Sequence, residues 1–204
     1  MYIPNNIKTQ DITKAHDLID EFGFGILVSG ALEGTHIPMV LHRNEGDYGV
    51  LYSHLAKANP HWKVLEGQEV LVIFSGPHSY ISPSWYAHAP AVPTWNYAAV
   101  HAVGTVALLD GEQTLAVVEE VVRQYEPALL VDRSIITNEY RDKLLSGIVG
   151  FKVQLSSIQC KLKLGQQRAK DDQSSVYHAL EHSAQVDANQ LARYMKKHGL
   201  GTGD

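Results

Sequence analysis

Apolar and polar positions change their spacing several times along the chain, and each change marks an element. Ile12, Ala15, Ile19 and Phe22 recur at helical intervals behind Thr9 or Asp11, either of which can cap the helix, and Gly23 suits a left-handed end. Strand-like runs follow at residues 24–29, 36–42 and 49–54, separated by Gly30 and Gly34 and by the turn cluster Asn44-Glu45-Gly46-Asp47. Asn59-Pro60 pairs a capping side chain with proline at the first helical position, predicting a short helix that ends near Gly67. Residues 69–75 read as a buried strand, and residues 100–109 and 150–164 as two long ones. Asp110 caps a helix carrying Leu115, Val118, Val121 and Val122, and a further helix covers 138–145. Six or seven strands joined mostly by short loops argue for an antiparallel barrel with helices at its rim, an α+β protein. Beyond Arg168 the chain turns polar, and residues 174–182 and 187–198 predict two helices, with Asp187 and Gln190 spaced as a capping box. The expected organisation is a barrel domain over 1–168 and a helical extension over 169–204, packed on the barrel or on a dimer partner.

Composition narrows the function classes. With 45% hydrophobic and 19% charged residues the 204-residue chain can bury a core. A formal net charge of −5 and the lack of a basic block argue against general nucleic-acid binding. No apolar run reaches the roughly 20 residues needed to cross a bilayer, and the start lacks signal-peptide character, so a cytoplasmic protein without membrane association is expected. The single Cys160 forms no intrachain disulfide.

Two motif matches lead nowhere as enzymes. Gly23-Phe24-Gly25 lacks the third glycine and preceding strand of a dinucleotide fold. His178-Ala179-Leu180-Glu181-His182 spells H-x-x-E-H, yet a zinc hydrolase needs a third protein ligand, typically a downstream carboxylate, and only Asp187 and Asp204 follow. An exposed helix with two surface histidines is the expectation, and no metal is assigned.

Three constellations point to a ligand. Residues 77–97 hold Tyr80, Trp85, Tyr86, Trp95 and Tyr97 among four prolines, a stiff loop whose rings can stack on a flat heteroaromatic group while Ser82, Ser84, Thr94 and Asn96 supply polar edges. In Ser53-His54-Leu55-Ala56-Lys57-Ala58-Asn59-Pro60 a strand runs out into a helix N-terminus, where free amides, a hydroxyl, an imidazole and an ammonium suit a phosphate monoester. Lys161 and Lys163 alternate with Leu162 and Leu164 at the end of the last strand, as a solvated lysine-protected edge or as a further cationic contribution to an anion.

Taken together, His54-x-Ala56-Lys57-Ala58-Asn59-Pro60-His61-Trp62, Tyr80-Ile81-Ser82-Pro83-Ser84-Trp85-Tyr86 and Pro93-Thr94-Trp95-Asn96-Tyr97 with Val100-His101 closely resemble the PaiB family, described as FMN-binding negative transcriptional regulators. Met1-Tyr2-Ile3-Pro4, Thr35-His36-Ile37-Pro38 and Ile148-Val149-Gly150-Phe151 match as well, so the resemblance runs from residue 1 to roughly 180. It implies a six-stranded split β-barrel of the flavin reductase and pyridoxamine phosphate oxidase type, working as a homodimer with FMN at the subunit interface. The family pattern K-x-K-L-S-Q-N-R is matched at Lys161, Lys163 and Gln166 but not at Gly165 and Gln167, and residues 127–137 lack an expected tryptophan.

By that analogy Lys57 and His54 are the best phosphate contacts, with Ser53 and Asn59 beside them. Thr35, His36, Ile37 and Pro38 form a strand facing the ring. Ser82, Ser84, Trp85, Tyr86, Thr94, Trp95 and Asn96 line the ring or ribityl chain, and Lys161, Lys163 and Gln166 add weaker contacts. No catalytic residue is assigned. The alternatives are a haem-binding split barrel using His54, His61 or His101, and a DNA-associated regulator without turnover, for which no helix-turn-helix pattern exists; direct DNA binding is not expected.

Overall fold

The protein is described here by a computed structural model that covers residues 1–7, 11–132 and 134–204. Thr9, one of the two candidate caps of the first helix, lies outside the described residues. Helix α1 (Ile12–Glu21) is followed by strands β1 (Phe24–Val28), β2 (Gly34–Pro38), β3 (Val40–His42), β4 (Val50–Ala56), β5 (Glu69–Ile81) and β6 (Thr94–Leu108). Helices α2 (Gly111–Tyr125) and α3 (Asn138–Leu145), strand β7 (Ile148–Lys163) and helices α4 (Lys170–Glu181) and α5 (Val186–His198) complete the chain. The class is α+β as expected, but the sheet has seven strands rather than six, in the order β2-β1-β5-β6-β7-β4-β3.

The extra strand comes from a break in the 36–42 run. β2 pairs antiparallel with β1, placing Ile37 opposite Gly25, while β3 pairs antiparallel with β4, placing Leu41 opposite Leu51. The chain changes partner at Met39, whose N–H goes to the Gly23 carbonyl at 2.8 Å. Because β2 and β3 are the two ends of the sheet order and only one residue separates them, the edges must lie within about 7 Å of one another there, so the sheet curls round. Gly23 is needed for this closure and not for a left-handed helix end: an added Cβ would stand 2.9 Å from the Met39 carbonyl oxygen, and its φ is not positive.

The chain divides into two compact units. One comprises Ile12–Phe74 and His101–Gln159, the other Met1–Asp11, Ser75–Val100 and Cys160–Asp204. The core of the first gathers Leu18, Leu27, Leu51, Phe74 and Phe151, each fully buried, at roughly 1.5–3 kcal/mol per side chain. The second is built on Ile81, Leu164, Leu180, Leu191 and Met195. Residues 169–204 fall in the same unit as the adjoining parts of β5, β6 and β7. Gly201, in the left-handed region at φ +74°, passes so close to the Leu164 carbonyl that no Cβ would fit.

Several local predictions hold. Asp110 caps α2 through a full capping box with Gln113, Asn59 accepts the His61 N–H, and Gly199 ends α5 in the left-handed region. The capping box expected at Asp187 is absent, since α5 starts one residue earlier behind Gln185, which makes no side-chain cap. The stiff segment 77–97 is a loop only between residues 82 and 93, because β5 extends to Ile81 and β6 starts at Thr94. Pro77 is accommodated within a strand because the β1 register stops at Ile73, so its missing N–H breaks no bond to β1.

Candidate functional site

The first cluster lies in the unit that contains β4. At the end of that strand the Lys57 N–H bonds to the Gly147 carbonyl at 2.8 Å, and the Trp62 indole donates to the Lys57 carbonyl at 3.0 Å, leaving the Lys57 side chain exposed on a turn fixed at both ends. The helix opening at Pro60 is a single 3-10 turn, Pro60–Val64, so the dipole expected to favour an anion is small and the positive charge is that of Lys57 itself. Asn59 and Thr35 tie the turn to β2, with Thr35 Oγ1 lying 2.8 Å from His61 Nδ1 and 3.4 Å from Asn59 Nδ2. His61 is completely buried and its Nε2 has no partner.

Two of the phosphate candidates in this cluster are used otherwise. Ser53 is 1% exposed and donates its hydroxyl to the Pro38 carbonyl at 2.6 Å, clipping β4 to the end of β2, so that hydrogen is not available to a phosphate. Burial holds the His54 imidazole below its ordinary pKa, so it is neutral at pH 7 and offers no cation. Its unpartnered Nδ1 belongs to a residue that lines a mostly apolar cavity of about 280 Å³, together with Val118, Ile136, Leu144, Ile148 and Arg141. Arg141, which pairs with Asp142 at 2.8 Å, carried no sequence signal, because α3 shows little separation of apolar and polar faces. Among the ring-facing candidates of β2, Ile37 is buried and His36 is exposed beside the Phe24 ring at 6.2 Å.

The second cluster lies in the other unit. Trp95 is 53% exposed and Tyr80 43% exposed; the two rings meet edge to face at 6.2 Å, and His78 tilts against Trp95 at 6.1 Å. Trp95 and His78 border an open cavity of about 290 Å³ floored by Ser75, Gly76, Tyr97, Ala98 and Ala99, with Tyr80 against the Trp95 edge. Exposed rings held on strands rather than on a loop are a more rigid stacking wall than the proline count implied. His78, on the same wall, was not singled out from the sequence, because an imidazole between Pro77 and Ser79 carries no distinctive spacing.

Around this wall the polar side chains are largely occupied. Lys163 donates to Thr94 Oγ1 at 2.5 Å and to the Trp95 carbonyl at 2.7 Å, and burial, with repulsion from Lys161, holds its pKa below the ordinary lysine value. Lys161, 9% exposed, is not a solvated edge lysine: it donates to the Tyr2 carbonyl at 2.9 Å and lies over the Tyr97 and Tyr2 rings. Both amide ends of Gln166 are taken by the backbone of Leu164 and Leu162, and Asn96 is 3% exposed. Gly165 adopts φ +82°, which accounts for glycine where the family pattern has serine.

The loop between β5 and β6 is held from inside the same unit. Ser82 caps the 3-10 turn Pro83–Trp85 and bonds the Ser84 hydroxyl at 2.8 Å, while Arg168 stacks on Tyr86 at 4.7 Å. Asp172 accepts both the backbone and ring N–H of His88; burial alone would raise its pKa, but these bonds and the charges of His88 and Arg168 lower it.

The fold is shared with solved structures of low sequence identity. It superposes on the flavocytochrome Anf3 of Azotobacter vinelandii with a TM-score of 0.62 at 16% identity, over 80% of this chain and 73% of that one. The FAD and heme binding protein of Mycobacterium smegmatis gives 0.59 at 14% identity, over 78% and 74%. Residues 1–157 match the family described as "Putative FMN-binding domain", and the chain is 34% identical to protease synthase and sporulation protein PAI 2 of Bacillus subtilis over 96% of its own length and 97% of that protein. The chain belongs to this PaiB-type family. Among the described residues no helix is long and apolar enough to cross a membrane.

Proposed function

We propose that the protein binds FMN as a homodimer with the cofactor at the subunit interface, and acts as a flavin-dependent redox or sensor protein. The observation that carries this reading is the match of residues 1–157 to an FMN-binding family, in a chain whose exposed Trp95 ring borders an open cavity. The residues fit the group: in one unit Trp95, Tyr80, Trp85 and Tyr86 offer planes for the isoalloxazine, and in the other Lys57, with Asn59 beside it, offers an exposed cation for the phosphate. Thr35 supports this set through Asn59 and His61, and Thr94 and Lys163 brace the ring wall. When bound, the flavin supplies hydride or electron transfer; the chain's part is to hold, orient and polarise it.

Lys57→Glu tests the assignment. A charge-assisted hydrogen bond is worth about 1.5–3 kcal/mol, so FMN affinity falls roughly ten- to hundredfold while circular dichroism is unchanged. A wild-type protein that purifies colourless and leaves the absorbance of added FMN unperturbed overturns the reading. The one observation favouring haem is the unpartnered His54 Nδ1 beside an apolar cavity; a Soret band on haem addition that His54→Ala abolishes identifies that case. With a net charge of −5, any regulatory action is read as indirect rather than as DNA binding by this chain alone.

A further inference from the structure

The H-x-x-E-H stretch is absorbed by none of this chemistry. It sits at the C-terminal end of α4, with Glu181 the last helical residue and His182 the C-cap. From His178, Glu181 and His182, all exposed, one ligand atom each lies within 4.8 Å of the other two, and His178 Nδ1 is 3.8 Å from Glu181 Oε2. A tetrahedral zinc with bonds of about 2.0–2.2 Å holds its ligand atoms about 3.4 Å apart, so small side-chain rotations close the set.

Three features distinguish this triplet from charged residues that happen to be neighbours. His182 Nδ1 lies 2.8 Å from the His178 carbonyl. A carbonyl only accepts, so Nδ1 carries the hydrogen and Nε2 keeps the lone pair a metal needs, the tautomer control usual for ligating histidines. The Tyr177 hydroxyl donates to Glu181 Oε1 at 3.0 Å, orienting the carboxylate and leaving Oε2 toward His178. The helix end, with its outward carbonyls, favours positive charge.

We propose that His178, Glu181 and His182 form a surface site for a transition-metal dication of the zinc type, with Tyr177 and the His178 carbonyl as its outer supports and water in the remaining positions. Two imidazoles and one carboxylate select zinc, nickel or copper over magnesium or calcium, which prefer oxygen ligands. With all three ligands on one helical turn and no downstream acid among them, this is a binding site and not the catalytic centre of a zinc hydrolase.

Calorimetric titration of zinc chloride into the tag-free, EDTA-stripped full chain is expected to show one saturable equivalent. His178→Ala and His182→Ala abolish it. Tyr177→Phe, which keeps all three ligands, weakens it about tenfold, in the range outer-shell losses produce, without shifting the melting temperature of the metal-free protein. Cobalt substitution is expected to give a visible d–d band with the same variant dependence. Zinc uptake equal in wild type and His182→Ala, or no saturable uptake at all, overturns the proposal. Flavin absorbance is expected to be unmoved by zinc, so this result and the flavin result are read separately.

Discussion

A polar side chain in a promising segment says nothing about where its hydrogen bonds go. Ser53, Asn96, Lys161 and Gln166 all stand in or beside matching motifs, yet each is buried or spends its donors on the protein's own backbone. Lys57, in the same kind of motif, has its backbone fixed and its ammonium free to reach outward. Residue-level packing is equally unforgiving at Gly104, where a Cβ would strike the Gln154 carbonyl oxygen and stand 2.9 Å from the Leu155 Cα, both backbone. Gly104→Ala is therefore expected to lower the unfolding free energy by about 1–3 kcal/mol, whereas Gly30→Ala, with nothing within 4 Å of the new methyl, is near neutral. Urea titration of the two variants checks this, and equal midpoints would contradict it.

Between elements, a pH-sensitive contact joins β3, the turn after it, and α2. His42 Nδ1 lies 2.6 Å from Glu45 Oε1 and Nε2 lies 2.8 Å from Glu120 Oε2, so both ring nitrogens face carboxylates and the imidazolium is favoured. Burial would lower its pKa, but the bonds and charges of Glu45 and Glu120 outweigh that and raise it above 6.5. Tyr52, bonded to Glu45 at 2.7 Å, is pushed up to about 12 by burial and by that carboxylate, so it stays neutral throughout. A raised folded-state pKa means that the His42 contribution is fully present below the unfolded value and is lost as pH rises through the folded one. The melting-temperature advantage of wild type over Glu120→Gln is thus expected to shrink as pH rises through that window; parallel curves would refute the link. The same scale explains the lengths misjudged from sequence. Prolines at 77, 83, 90 and 93 mark a loop, but a strand can carry Pro77 once its β1 register has stopped, a condition that depends on the neighbour and not on the proline.

For the whole molecule the testable quantity is assembly. If FMN sits between two subunits it binds the dimer and not the monomer, so light scattering is expected to give twice the chain mass, and saturating FMN to tighten the dimer by mass action. A monomer that holds FMN with undiminished affinity would sink the interface assignment. What the chain's sequence determined by itself was the class, the presence and order of most elements with several of their caps, and the family, because capping residues, apolar spacing and long motifs are local and need no partner to be read. What only the tertiary structure decided was the seventh strand at Met39, the burial of Lys161 against Tyr2 and Tyr97, and the commitment of Ser53 to the Pro38 carbonyl. Each of these depends on which groups lie across space from one another, and hydrogen bonding and desolvation act over a few ångströms of space, whatever the separation along the chain.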